Sequence, residues 1–337
     1  MIEAQGPISV ADYMGLANAH YYATRDPFGP AGDFTTAPEV SQMFGELIGL
    51  ALADLWARAG RPEGARYVEL GPGRGTLAAD ALRAMRAAGL VPAVHFVEMS
   101  PVLRAAQAVR VPDAVWHDDL SSLPEDGPIL AVANEFFDAL PIRQLVATRT
   151  GWSELLVTLD GDRFIRAAGP PIPRTAIPEP IRIAPPGTLL ETSPASLACV
   201  RRLADRVSRN GGGALIADYG HDRLSAGETL QAVRDHAYAD CWTEPGESDL
   251  TAHVDFESLA RAAAAAGVGV HGPVGQGDWL TRLGIDSRTE ALLRSAPDRR
   301  DELLAARQRL VASDGMGRLF KVMGLSAADW PAPEGFG

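Results

Sequence analysis

One short stretch limits the folds open to this chain more than any other. Residues 65–70 form an apolar run that predicts a short buried strand, and Gly71, Gly73 and Gly75 follow it directly. Residues 76–88 then carry apolar side chains at helical spacing. A strand, a glycine-rich turn and a helix in succession are the opening unit of nucleotide-binding α/β folds. Glycine allows the sharp turn and the close approach of a ligand.

The spacing of these glycines narrows the choice of ligand. The pattern G-x-G-x-G departs from the dinucleotide fingerprint G-x-G-x-x-G, because Thr76 stands where the later glycine belongs. A P-loop is excluded, since the motif is absent and Lys321 is the only lysine. Glu69, at the end of the predicted strand, would repel a pyrophosphate but suits the sulfonium and amino groups of S-adenosylmethionine (SAM). Another nucleotide, or a purely structural turn, is the alternative.

The charge and the N-terminal sequence indicate which kinds of partner and which cellular location to expect. A formal net charge of −12 without a basic cluster disfavours nucleic-acid binding, which depends on cations that neutralise phosphates. The acidic balance suits a cationic substrate or simply favours solubility. Residues 1–7 lack the features of a signal peptide, and no apolar run reaches membrane-spanning length. We therefore predict a cytoplasmic protein without membrane insertion. Cys199 and Cys241 lack metal spacing, so we predict no metal site.

Residues 1–60 are predicted to form N-terminal helices and a lid loop. Residues 8–26 have helical periodicity, and Pro38 fits the first turn of a second buried helix that continues to about residue 59. The loop between them contains Asp33 and Thr36 together with an aromatic residue, which favours a lid over a ligand. A helix cap alone would explain Thr36 equally well.

The rest of the chain divides into a core, two insertions and a tail. We predict a SAM-binding core in 61–141 and 188–324, with a helical insertion at about 278–312. Residues 142–187 contain runs of strand-forming residues separated by turn-forming residues, which predict an antiparallel β insertion. Residues 325–337 are expected to be a frayed tail.

Two further expectations concern the second half of the chain. Residues 222–252 are rich in loop-forming residues and are predicted to lack regular structure. Residues 317–323 are apolar enough for the last strand of the sheet.

Polar side chains follow the predicted second, third and fourth core strands. Glu98 ends the second strand, at the separation where an acid accepts from ribose hydroxyls. Asp118 and Asp119 follow the third strand and could accept from an adenine amino group, or could form a solvated turn. Glu135 and Asp138 follow the fourth strand, where a methyl acceptor would meet the sulfonium. A capped turn with two core phenylalanines would explain this last segment too.

Six segments together resemble one family, the MidA-like methyltransferases, whose mitochondrial member is a complex I assembly factor that methylates a protein arginine. The segments are residues 32–47, 68–77, 96–101, 134–141, 218–221 and 249–256. They lie in order over almost the whole chain. Departures from the family pattern are small, such as Ala37 in place of serine and Asn134 in place of histidine.

The resemblance implies an α/β class I methyltransferase fold, with a seven-stranded Rossmann-like sheet, an N-terminal helical lid, an antiparallel β insertion and a C-terminal helical insertion. The cofactor is then SAM, with S-adenosylhomocysteine as product. The predicted cofactor-binding residues are Asp33, Thr36, Glu69, Gly71, Gly73, Gly75, Glu98, Asp118 and Asn134. The predicted catalytic residues are Glu135, Asp138 and His221.

The expected reaction is methylation of an arginine on a protein partner, a respiratory complex I subunit or its bacterial counterpart. An arginine stays protonated, so paired carboxylates such as Glu135 and Asp138 are needed to hold its guanidinium. A small-molecule methyltransferase and a SAM-binding assembly chaperone with little turnover are the alternatives, because the fold alone does not fix the function. A homodimer is left open.

Overall fold

The computed structural model describes residues 2–27, 35–234 and 236–337. The helices are α1 (Ile2–Gln5), α2 (Val10–Thr24), α3 (Ala37–Val40), α4 (Gln42–Arg58), α5 (Thr76–Ala87), α6 (Pro101–Arg110), α7 (Pro194–Asn210), α8 (Phe256–Ala264), α9 (Gln276–Arg282), α10 (Ile285–Ser295), α11 (Arg300–Val311) and α12 (Met316–Leu319). The strands are β1 (Ile8–Ser9), β2 (Arg66–Leu70), β3 (Ala93–Val97), β4 (Val115–His117), β5 (Ile129–Asn134), β6 (Arg143–Thr148), β7 (Gly151–Asp160), β8 (Arg163–Ile172), β9 (Leu189–Thr192), β10 (Gly212–His221), β11 (Gln231–Arg234), β12 (Ala237–Ala239), β13 (Asp249–Thr251), β14 (Val254–Asp255), β15 (Gly269–Gly275) and β16 (Phe320–Ser326).

A central mixed sheet organises the molecule. Its strand order is β15-β16-β10-β5-β2-β3-β4, and the two-residue β14 pairs beside the end of β10. The neighbours from β10 to β4 run parallel, whereas β16 is antiparallel to both β10 and β15. The predicted α/β class is confirmed. Seven strands lie on the continuous path, and β14 adds an eighth to the seven that we expected.

Helices cover both faces of this sheet, and β5 at its centre is buried along its whole length. This burial explains the unbroken apolar sequence of the strand. On one face α4 packs closely on α5, and a Cβ added at Gly49 would lie 2.3 Å from the carbonyl oxygen of Ala81. The glycine therefore sets how near the two helices approach.

The N-terminal helices differ in two respects from the prediction. The helix predicted over 8–26 begins two residues later, because Ile8 and Ser9 pair with β7 as strand β1. The segment that begins near Pro38 is two helices, because Ser41 takes an extended conformation between α3 and α4. Its hydroxyl oxygen accepts a hydrogen bond from the Met43 N–H at 3.2 Å and caps α4. Likewise, Ser9 caps α2 through the Asp12 N–H at 3.0 Å.

The β insertion forms a second sheet with the order β1-β7-β6-β9, in which β8 pairs with the other edge of β7. A third sheet, β12-β11-β13, occupies part of residues 222–252, which we expected to lack regular structure. That expectation was wrong for residues 231–234, 237–239 and 249–251, whose strands are too short to show a periodic pattern.

The C-terminal segment corrects two further expectations. The last strand begins at Phe320 and follows the short helix α12, so the segment predicted from residue 317 starts three residues later. The tail is not frayed. The Trp279 Nε1 donates to the carbonyl oxygen of Glu334 at 3.2 Å, and Phe336 packs against the core. Its aromatic residues anchor it despite the proline- and glycine-rich sequence.

Across the described ranges, no helix combines the length and the apolar character that a membrane span requires.

Candidate functional site

A small cavity lies at the carboxyl ends of β2 and β5, the edge where open α/β sheets bind ligands. Three segments of the chain meet there: the start of α3, the glycine-rich turn and the residues that follow β5. Six of the predicted site residues line the cavity, namely Thr36, Glu69, Gly71, Gly73, Asn134 and Glu135.

A second, larger open groove of about 820 Å³ lies between β7, β8 and residues 240–244. Phe164 and Trp242 are among its lining residues. It contains none of the predicted site residues, so the small cavity is the candidate site.

The glycine-rich turn has the backbone that its sequence predicts. Gly71, Gly73 and Gly75 have φ angles of 60°, 53° and 79°, in the left-handed region that favours glycine. A Cβ at Gly71 would lie 2.8 Å from Cδ2 of Phe136, so this glycine also makes room for the residues after β5. Gly75 occupies the N-cap position of α5 without a capping side chain.

Glu69 supplies a buried carboxyl group to the cavity, with 2% of the residue exposed. The hydroxyl group of Tyr67 donates a hydrogen bond to its Oε2 at 2.5 Å. Burial raises the pKa of Glu69 to about 8, although the bond from Tyr67 acts in the opposite direction. Without a cationic partner, this carboxyl group is therefore largely neutral at physiological pH.

Glu98 is joined to the glycine-rich turn by a residue that the sequence analysis missed. Its Oε1 accepts from the Ser100 N–H at 2.8 Å, and its Oε2 accepts from Nε2 of Gln107 at 3.2 Å. The same Nε2 donates to the carbonyl oxygen of Gly73 at 2.7 Å. Burial raises the pKa of Glu98, although these hydrogen bonds lower it in part. A glutamine on an amphipathic helix carries no sequence signal for such a role.

Glu135 lines the cavity in an unusual backbone conformation, with a φ of 49°. Its Oε1 accepts from the Ala37 N–H at 3.0 Å and from Nδ2 of Asn134 at 3.2 Å. Burial raises the pKa of Glu135 to about 7, opposed by the bond from Ala37. The Oδ1 of Asn134 is buried and lacks a hydrogen-bond partner among the described residues. The lining of the cavity therefore includes one buried oxygen acceptor that lacks a donor among the described residues.

Asp138 lies in the same loop but does not line this cavity with Glu135. It is buried, and its Oδ1 also lacks a partner among the residues described. Burial raises the pKa of Asp138 to about 6, whereas a hydrogen bond with Tyr219 lowers it. The two predicted carboxylates are thus close in sequence, yet only Glu135 lines this cavity.

Asp218, which the sequence analysis named only within a family segment, holds this loop. It is fully buried in β10, and its carboxylate accepts from successive backbone N–H groups of residues 136–138. Burial raises the pKa of Asp218, and repulsion from Asp138 and Glu135 raises it further. The hydrogen bonds from backbone N–H groups lower it in part.

Three further predicted residues, Asp118, Asp119 and His221, do not line the cavity. Asp118 is exposed and forms an ion pair with Arg104 at 2.6 Å, while Asp119 accepts from the Ser121 N–H at 2.7 Å. Nδ1 of His221 bonds the carbonyl oxygen of Arg223 at 2.7 Å, and the side chain does not line the cavity. Asp33 lies outside the described residues. The roles of all these residues stay predictions.

No group of three or more histidine, cysteine, aspartate or glutamate side chains is arranged to hold a metal ion in the part of the chain that the structure describes.

Comparison with known proteins gives three concordant findings. The profile of a family described as "Putative S-adenosyl-L-methionine-dependent methyltransferase" matches residues 47–274. The human mitochondrial protein arginine methyltransferase NDUFAF7 is 36% identical over 366 residues, which cover 96% of this chain and 81% of that protein. The Drosophila melanogaster homologue of NDUFAF7 is 38% identical over 368 residues, covering 96% and 82%.

A solved structure matches the same fold. A protein from Burkholderia thailandensis, crystallised with bound S-adenosyl-homocysteine, superposes with a TM-score of 0.87 at 29% identity. The match covers 97% of this chain and 91% of the other.

Proposed function

The chain belongs to the MidA-like family of SAM-dependent methyltransferases, and from this premise we propose that it methylates an arginine side chain on a protein partner. The observation that carries the proposal is the cavity at the carboxyl ends of β2 and β5, where the buried Asn134 Oδ1, which lacks a donor among the described residues, shares the lining with the buried carboxyl groups of Glu69 and Glu135, a set suited to a cationic ligand. Arginine as the acceptor rests on the likeness to the NDUFAF7 proteins.

The residues around the cavity fit SAM. A buried Asn134 Oδ1 without a donor and the buried carboxyl group of Glu69 suit an ammonium group, which donates hydrogen bonds and carries positive charge. The left-handed glycines carry no side chain, so a ligand can approach the backbone closely there. Glu98, held by Gln107 next to the turn, is suited to accept from ribose hydroxyls.

When bound, SAM supplies an electrophilic methyl group on a sulfonium. The protein's own task is then to position the acceptor nitrogen and to complement its charge. Glu135 follows β5 directly, and its carboxylate can accept parallel N–H bonds from a guanidinium. Its raised pKa of about 7 lets a cationic acceptor draw it into the ionised form. We assign Glu135 to the acceptor side of the cavity.

A protein acceptor is the partner class that this proposal requires. A respiratory complex I subunit or its bacterial counterpart as the acceptor protein, and a cytoplasmic location, are predictions from the sequence that stand beside it, and a homodimer is left open.

The test is to incubate the purified protein with methyl-tritiated SAM and a lysate from a strain that lacks the gene. The proposal predicts label in a protein band, absent when Gly71→Ala protein replaces the wild type. Label in a small metabolite would instead make the protein a small-molecule methyltransferase. Binding of SAM without transfer of label would favour an assembly chaperone.

A further inference from the structure

The carboxylate of Asp218 gathers four backbone N–H groups, although no solvent reaches it. Its Oδ2 accepts from Phe136 at 3.1 Å, Phe137 at 2.9 Å and Asp138 at 3.2 Å. Its Oδ1 accepts from its neighbour Tyr219 at 2.9 Å. Only a carboxylate can accept on both sides in this way, because an amide side chain presents a donor on one of them.

These bonds act on the residues that follow Glu135, whose backbone is strained. A φ of 49° places Glu135 in the left-handed region, which is unfavourable for a residue that carries a side chain. Such a conformation persists only where the surroundings over-determine it. The Glu135 N–H donates to the carbonyl oxygen of Ala217 at 2.9 Å, and Asp218 then holds the next three N–H groups.

Adjacent residues of β10 thus fix the whole turn after β5. The turn leaves β5 at Asn134, and Glu135 is the point at which the chain changes direction towards the cavity. If the Asp218 carboxylate were lost, the N–H groups of residues 136–138 would lose their shared acceptor. Glu135 could then relax to an ordinary backbone conformation and its side chain would move from the cavity.

We propose that Asp218 is a positioning residue that acts through Glu135, holding the acceptor-facing carboxylate in its strained orientation. The inference rests on the proposed function of the Glu135 site. If Asp218 served stability alone, its substitution would lower activity only in proportion to the loss of folded protein. That loss would be the same whichever residue stands at position 135. A positioning residue has an effect only while there is a Glu135 carboxylate to position.

A double-mutant cycle separates these two roles. Asp218→Asn, Glu135→Gln and the double variant are compared by initial rates of methyl transfer at saturating SAM, with the folded fraction measured in each. We expect Asp218→Asn to lower the rate about tenfold to a hundredfold in the wild-type background. In the Glu135→Gln background the same change should lower it by less than about threefold.

The matched control is Glu154→Gln in the β insertion. Glu154 is buried and accepts from both Nε and Nη2 of Arg143, at 2.7 Å and 2.6 Å, so its loss also removes the charge of a carboxylate that holds two hydrogen bonds. It should lower the melting temperature but leave the rate per folded molecule unchanged. Equal rate losses for Asp218→Asn in both backgrounds would overturn the inference.

A second measurement needs no turnover, and its wild-type arm needs no variant. Hydrogen exchange of the wild-type peptide covering 134–140 should be slow, at the rate of the core strands, because the N–H groups of 136–138 are bonded to Asp218. In Asp218→Asn it should be much faster, and in Glu135→Gln it should stay slow. Fast exchange in the wild type would overturn the inference. A wild type that exchanges slowly but methylates no protein would instead overturn the proposed function.

Discussion

The hydroxyl group of Tyr67 lies 2.5 Å from Oε2 of Glu69, and both residues are buried at the centre of the sheet. Burial raises the pKa of this carboxyl group to about 8, so the unliganded site holds a proton that a cationic ligand would displace. Because this proton has to leave when a cationic ligand binds, the affinity for the cofactor should depend on pH.

The first prediction follows from the sign of this coupling. The ammonium group of S-adenosylhomocysteine favours the ionised carboxylate, so binding releases a proton below about pH 8. Affinity should therefore rise from about pH 6 towards pH 8, by up to about tenfold per pH unit, and level off above it. Calorimetry in buffers of different ionisation enthalpy measures both the affinity and the proton release. A pH-independent affinity would contradict the assignment of Glu69.

The second prediction concerns Tyr67 itself. Tyr67→Phe removes a hydrogen bond that favours the ionised form of Glu69, so the pKa of Glu69 should rise further above its ordinary value. The affinity for S-adenosylhomocysteine at pH 7 should then fall, and its pH dependence should shift to higher pH. A loss of affinity that is equal at every pH would mean that Tyr67 acts only through packing.

The third prediction uses two glycines with similar backbones. Gly71 and Gly64 have φ angles of 60° and 70°, so alanine at either position costs about 1–2 kcal/mol of stability. A Cβ at Gly71 meets Phe136 at 2.8 Å, whereas one at Gly64 meets nothing within 4 Å. Gly71→Ala should weaken SAM binding about tenfold or more, and Gly64→Ala should leave it unchanged. If calorimetry gave equal SAM affinities for the two variants, the glycine-rich turn would not be part of the cofactor site.

Much of this site could be predicted from the sequence, because local chemistry determines it. The glycine-rich turn needs left-handed backbone, which favours glycine, and α6 begins where Ser100 and Pro101 predict a cap and a first turn. The positions of Glu69, Glu98 and Glu135 follow from the rule that ligands meet parallel strands at their carboxyl ends.

The residues that hold the site together could not be predicted in this way. Asp218 and Phe136 are 82 positions apart, and Gln107 and Gly73 are 34 apart, so their bonds depend on the tertiary arrangement. The pairing of Glu135 with Asp138 was predicted because both follow the same strand, yet the turn held by Asp218 leaves Asp138 outside the lining of the cavity. Similarly, the tail is anchored by contacts of Phe336 and Trp330 that its composition does not reveal.

The fourth prediction tests Gln107, which connects Gly73 with Glu98. Gln107→Leu leaves the half-buried Gly73 carbonyl and Glu98 carboxylate without this donor, at a cost of about 0.5–1.5 kcal/mol for each hydrogen bond, and should also weaken SAM binding. Gln276→Leu is the control, because Gln276 is equally buried and bonds only the carbonyl oxygen of Leu310 among the described residues. Both variants should melt earlier, but only Gln107→Leu should bind SAM less tightly. The same loss of affinity in both would refute a specific role.

The fifth prediction concerns the carboxylate of Glu135. Glu135→Gln keeps an oxygen acceptor for the Ala37 N–H and removes the charge. A charge-assisted hydrogen bond contributes about 1.5–3 kcal/mol, so the rate of transfer should fall about tenfold to two-hundredfold. SAM affinity is measured in the same preparation. A larger loss of SAM affinity than of transfer would make Glu135 a cofactor ligand.

The most direct test of the account is the chemical identity of the methylated residue. Protein labelled with methyl-tritiated SAM by the purified wild type is hydrolysed to amino acids in acid, and the methylated products are separated by chromatography. The account predicts that the label elutes with methylated arginine, in an amount that Glu135→Gln reduces at least about tenfold. Label in methyl-lysine, or label lost as methanol from a carboxyl ester during hydrolysis, would contradict an arginine acceptor held by the Glu135 carboxylate.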